Sequence, residues 1–136
     1  MGNLFALYGR ANCGKSETIR NIFDQLKMKY PTAQINQIYF GSDIKVIIKG
    51  IKGLSIGIES MGDPNSRLKQ SLIDFENNGC DIIFCASRTR GMTVDWINSH
   101  SKKYTIDWTA QKHASANVRT TNNQRVAQTL IVKAGL

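Results

Sequence analysis

Nothing in the sequence approaches the roughly 20 consecutive apolar residues that cross a bilayer. Its short apolar runs are interrupted by charge, so no membrane-spanning segment is expected. The opening stretch MGNLFALYGR lacks a basic n-region and a small-residue cleavage site, and does not read as a secretory signal. Gly2 is not in a myristoylation pattern, because Ala6 stands where Ser or Thr is needed. There are only three cysteines, Cys13, Cys80 and Cys85, an odd number without metal-ligand spacing. Reduced thiols in a cytoplasmic protein are the expectation. His100 and His113 have no ligand partners at a useful spacing. Internal repeats, low-complexity tracts and linkers are all missing, so residues 1–136 read as one domain. Acidic residues are scarce, with 10 Asp and Glu against 18 Lys and Arg, giving a net charge of +8.

That excess is dispersed over Lys45, Lys49 and Lys52, over Arg88 and Arg90, and over Lys102, Lys103, Lys112, Arg119 and Arg125. It favours anionic partners: nucleotides first, with nucleic acid or an acidic protein as further possibilities.

The periodicities alternate between strand and helix, which points to an α/β protein with a mostly parallel sheet. NLFALY (3–8) reads as a buried strand and Lys15 to Tyr30 as a helix, with Ile19, Ile22, Phe23 and Leu26 on one face and Pro31 as its stop. AQINQIYF is a strand. IKVIIKGI and LSIGIE form a hairpin about a Lys52-Gly53 turn, adding an antiparallel strand. In GDPNSRLKQSLIDFENNG, Asp63 and Pro64 predict the N-cap and first position of a helix with Leu68, Leu72 and Phe75 inward. CDIIFCA is a buried strand, TVDWINSH a short helix with Thr93 as its candidate cap, and KYTIDWT a further strand. Residues 110–121 read as polar loop, followed by a last helix from Asn122 with Val126, Leu130 and Val132 or Lys133 to one side. Trp96 and Trp108 read as packing residues, although Trp108, before a basic loop, also suits base stacking.

Between the first strand and first helix stands GRANCGKS, the spacing G-x-x-x-x-G-K-S. Glycines at Gly9 and Gly14 let backbone N–H groups converge on phosphate oxygens, and the following helix adds its positive end. Lys15 would reach the β- and γ-phosphates and the Ser16 hydroxyl would meet Mg²⁺. The contact set is Gly9, Arg10, Ala11, Asn12, Cys13, Gly14, Lys15, Ser16 and Glu17. Cys13, at the start of a helix, is either a tolerated small residue or an oxidation-sensitive thiol. The stretch LFALYGRANCGKSETIRNIF resembles the first strand, Walker A loop and first helix of the P-loop NTPases. The resemblance implies a three-layer α/β/α fold that binds a nucleoside triphosphate with Mg²⁺.

Such a site needs a carboxylate on the Mg²⁺ side. Glu59, closing an apolar strand, is the first choice, and Asp63 is the alternative, beside a Gly62 that permits close backbone approach. Beyond the strand IIFCA, Ser87, Arg88 and Arg90 would point to the same sheet edge if that strand is parallel. Arg88 would then neutralise charge on a transferred phosphate, or else pair with Asp95 or Asp74. No N-K-x-D guanine signature follows a late strand, so adenine is the default base. Three functions follow: a small ATPase using Lys15, Glu59 and Arg88; a small-molecule or nucleotide kinase; or a nucleotide-regulated nucleic-acid-binding module.

Overall fold

The structure is a computed structural model that describes residues 1–11 and 13–136. Asn12, one of the expected phosphate contacts, lies outside the described residues. In chain order the elements are β1 (Gly2–Tyr8), α1 (Lys15–Lys29), β2 (Gln34–Phe40), β3 (Ile44–Ile51) and β4 (Leu54–Glu59). There follow α2 (Leu68–Asn77), β5 (Ile82–Ser87), α3 (Met92–Asn98), β6 (Tyr104–Ala110) and α4 (Ala116–Lys133).

The strands form one six-stranded sheet in the order β2-β3-β4-β5-β1-β6. β4, β5, β1 and β6 are mutually parallel, while β2 and β3 add the antiparallel part. Side-chain alternation explains why the central strands read as continuous apolar runs: each face is covered. Phe5 and Leu7 pack with Ile19, Ile22, Phe23 and Leu26 of α1 and with Ala127, Leu130 and Ile131 of α4. Leu4 and Ala6 pack the other way, with Leu68, Leu72 and Phe75 of α2 and Ile97 of α3. The β3–β4 turn sits where expected. Lys52 and Gly53 both take positive φ (52° and 76°), the geometry of a two-residue hairpin that matches strand twist.

Three local expectations are corrected. Helix α2 does not start at Asp63-Pro64 but at Leu68. The Ser66 amide donates to the Asp63 carbonyl (3.1 Å), closing a turn, and the Asp63 carboxylate takes the Arg88 Nε–H (2.9 Å), so it caps nothing. Helix α4 starts at Ala116, inside the stretch expected to be loop, and its Val132 is exposed rather than inward. Polar residues along its outer face hid a helix whose inner face is only Asn123, Ala127, Leu130 and Ile131. Finally, Thr93 does not cap α3, which Gly91 precedes; its hydroxyl accepts the Arg88 amide (3.1 Å) and bonds Ser87. Among the described residues, no helix is long and apolar enough to cross a membrane.

Parallel strands put their C-terminal ends on one edge. Tyr8 is level with Ser87 and Ala110, and Glu59 with Cys85. The segments starting at Gly9, Ser60, Arg88 and Gln111 therefore emerge together.

Candidate functional site

The loop from Gly9 to Gly14 turns the chain from β1 into α1. A Cβ on Gly9 would fall 2.8 Å from the Cys13 sulfur and 2.8 Å from the Gln111 carbonyl oxygen, so the position is closed to larger residues. Gly14 takes φ 99°, a left-handed conformation that favours glycine, and its amide unit leads directly into α1. The Thr18 amide donates to the Gly14 carbonyl (3.0 Å), fixing the helix start.

Lys15 folds back over its own loop. Its Nζ donates to the carbonyls of Gly9 (2.6 Å) and Arg10 (2.8 Å), and only 8% of the residue is exposed. Burial holds its pKa below the usual lysine value, with the Arg88 guanidinium pushing the same way against Cys13 and Asp63. A cation in that setting gains from any anion that reaches it.

The Ser16 hydroxyl donates to Asp43 Oδ1 (2.9 Å) and lies 3.1 Å from the Ser60 carbonyl. The Ser60 hydroxyl donates to the same Asp43 oxygen (2.7 Å) and accepts the Ile44 amide (2.8 Å). Two serines from different elements thus converge on one carboxylate at the start of β3. Lys15, Ser16, Ser60, Asp63 and Arg119 line one open cavity of about 320 Å³, together with Ala11, Gly14, Glu17 and Gly62.

The structure separates the two carboxylates weighed for Mg²⁺. Asp63 is in the cavity wall, paired with Arg88. Glu59 is fully buried on the α2 side, where Arg67 donates to both its oxygens (2.8 and 3.1 Å), Ser71 donates at 2.5 Å and the Met61 amide at 3.1 Å. Alternation explains this placement. Ile56 and Ile58 belong to the α1-facing core, so Glu59 faces away and Ser60 faces Ser16. Gly62 is also spoken for: a Cβ there would lie 2.4 Å from the Ala86 carbonyl carbon, so its bareness lets the ends of β4 and β5 touch. Arg88 lies on the expected edge, Arg90 beside it is exposed, and Arg10 is exposed with its carbonyl taken by Lys15. Cys13 is buried behind the loop.

Sequence reasoning missed Asp43, Ser60 and the α4 side of the site. A relay runs from Thr18 Oγ1 to Gln111 Oε1 (3.0 Å) and from Gln111 Nε2 to Asn123 Oδ1 (3.1 Å), joining α1 to α4 beneath the loop. The signal for Ser60 was the strand parity just described. The signal for Asp43 was the two-residue turn, which pairs Lys45 with Glu59 and so brings the start of β3 level with the end of β4.

Hydroxyl and carboxylate oxygens are hard donors suited to Mg²⁺, which keeps one or two protein ligands and takes the rest from water and phosphate. Among the described residues no group of three or more His, Cys, Asp or Glu side chains offers a closed cage. The Ser16–Asp43 pair beside a buried lysine fits a metal held jointly with a phosphate chain. No protein-family model matches the chain, and no curated protein or solved structure does.

Proposed function

We propose that the chain is a small P-loop protein of three-layer α/β/α architecture that binds a nucleoside triphosphate with Mg²⁺, ATP by default, and hydrolyses it. The observation that carries this reading is the Ser16 hydroxyl on Asp43 (2.9 Å), directly after a buried Lys15 whose partners among the described residues are two carbonyls of its own loop and, at 3.9 Å, the Cys13 sulfur. In this reading Lys15 leaves the Gly9 and Arg10 carbonyls for the phosphate oxygens. Ser16 and Asp43 would together hold Mg²⁺. Bound Mg²⁺ supplies positive charge to the phosphate oxygens. Arg88 pairs with Asp63, a residue of the cavity wall, and would neutralise charge that develops during transfer.

One observation favours phosphotransfer to a small acceptor as a second reading. A separate cavity of about 330 Å³ opens by the same sheet edge, walled by Tyr8, Trp108, Val94, Thr89 and Asn98. Tyr8 and Trp108 meet edge-to-face there (6.1 Å between centroids), giving an aromatic corner with Thr89 and Asn98 as polar neighbours in the wall.

Both readings are tested with γ-labelled ATP and Mg²⁺. Binding of Mg²⁺-ATP, with label released as phosphate, is the expected result. Label recovered on an added nucleoside or nucleotide instead selects the kinase. Lys15→Ala should weaken ATP binding by roughly ten- to a hundredfold, the scale of a lost hydrogen-bonded charge, with an unchanged circular dichroism spectrum. Equal affinity in that folded variant removes the site assignment.

A further inference from the structure

Among the described residues, two buried side-chain nitrogens have no hydrogen-bond partner, Arg119 Nε and Asn123 Nδ2. They stand one helical turn apart, at i and i+4, on the same face of α4. Arg119 is in the wall of the cavity that holds Lys15 and Ser16, and Asn123 lies against Gly14, where an added Cβ would be 3.4 Å from Nδ2. Buried donors are almost always satisfied, and a guanidinium nitrogen left without an acceptor is the costlier kind.

The carboxylates nearby are committed elsewhere. Asp63 holds Arg88, and Asp43 holds the two serine hydroxyls. Glu17, also in the cavity wall, is exposed, and no ion pair joins it to Arg119 among the described residues. The helix itself adds to the excess: the first turn of α4 has no acidic residue, so a cation sits at the positive end of a helix dipole. Two independent features thus ask for an anion at one place.

We propose that Arg119 is a phosphate-binding residue supplied by the chain itself, lining from α4 the cavity that Lys15 lines from α1, and making the site select di- and triphosphates over monophosphates. The proposal rests on the nucleotide reading above and adds a residue and a selectivity to it. Lys15 and the loop meet the phosphates from the β1–α1 side. Arg119 meets them from the α4 side, where its planar fork takes two oxygens at once. A monophosphate reaches one wall only, whereas a longer chain bridges both. The Thr18–Gln111–Asn123 relay keeps α4 in register with the loop, so the two walls hold a fixed spacing.

The test is calorimetric titration of the full chain with Mg²⁺ and, separately, ATP, ADP, AMP and pyrophosphate. The wild type should prefer ATP and ADP to AMP. Arg119→Gln should lose roughly ten- to a hundredfold in ATP affinity, with little change for AMP. Arg119→Lys, which keeps charge and stem, should recover part of the loss and guards against a Gln variant that folds poorly. A folded Arg119→Gln that binds ATP as the wild type does, or that loses ATP and AMP equally, overturns the proposal. If Lys15→Ala weakens ATP binding as expected in that case, the nucleotide reading stands without it. A wild type that binds none of the four ligands overturns both.

Discussion

Ser16 and Asp43 are 27 positions apart in the chain and 2.9 Å apart in space, joined by a hydrogen bond across the gap between α1 and the β2–β3 turn. In the proposed function that contact gives the acidic role to a residue in a turn rather than to the carboxylate closing β4. Asp43→Asn keeps the shape and removes the charge. It should lower ATP affinity roughly tenfold in Mg²⁺, the scale of one charged hydrogen bond, and change little in EDTA. Titrations with and without the metal check this; equal losses in both conditions would remove Asp43 from the metal side.

Glu59 is held by Arg67, Ser71 and the Met61 amide in a buried cluster. Breaking a buried pair from one side strands the other charge, at a cost of about 3–5 kcal/mol. Glu59→Gln should therefore lower the urea midpoint markedly yet leave the ATP dissociation constant of the folded protein within about twofold, the spread expected where no ligand contact is lost. Replacing Glu59 and Arg67 together with methionines should restore much of the stability. A variant of unchanged stability that binds or hydrolyses ATP poorly would return Glu59 to the site.

Gly57 faces Phe75, whose ring a Cβ would meet at 2.6 Å. Gly57→Ala should destabilise by about 1–3 kcal/mol through overpacking. Phe75→Leu in the same chain should relieve part of that, a coupling that a double-mutant cycle of denaturant midpoints reads directly.

Alkaline pH should unfold the protein by way of its buried acids. Burial, with Asp81 adding to it, pushes the Cys80 thiol up to about 12. Burial also pushes the Tyr104 hydroxyl up to about 12, and raises the Cys85 thiol. Their folded pKa values exceed the unfolded ones, so the stabilisation is complete below the unfolded thiol pKa of about 8.5 and is lost as pH rises through the folded values. Lys15 has the opposite sign, since its lowered pKa lets stability recover with pH, but it is one group against three. Urea midpoints should fall steadily above about pH 9, and Cys85→Ala should make that fall shallower. A flat profile to pH 11 would contradict it.

Much of the fold was legible because its signals are local. The strand, loop and helix over 3–30 carry their own periodicity, and Lys52-Gly53 states its turn chemistry outright. The errors arose where a distant partner overruled a local preference. Asp63-Pro64 has every mark of a helix start, but Arg88, 25 positions away, takes the carboxylate. Helix α4 is polar along most of its first half and shows its inner face only against α1. Glu59 stands at a strand end but faces α2, and counting from Ile56 and Ile58 is enough to put Ser60 on the face beside the loop. Asp43 gave no local sign at all; the register of the hairpin decides it.

The site is also divided between parts of unequal firmness. Lys15 and Ser16 grow out of β1, which has neighbours on both sides, whereas Asp43 hangs from the sheet's margin, where β2 is mostly exposed and bears Ile38, Tyr39 and Phe40 in solvent. Margins open more readily than interiors. A nucleotide and metal spanning Ser16 and Asp43 would act as a clasp on that margin. Amide exchange in β2 and β3 would slow on binding, while β1 and β5, in the interior of the sheet, would scarcely register the ligand.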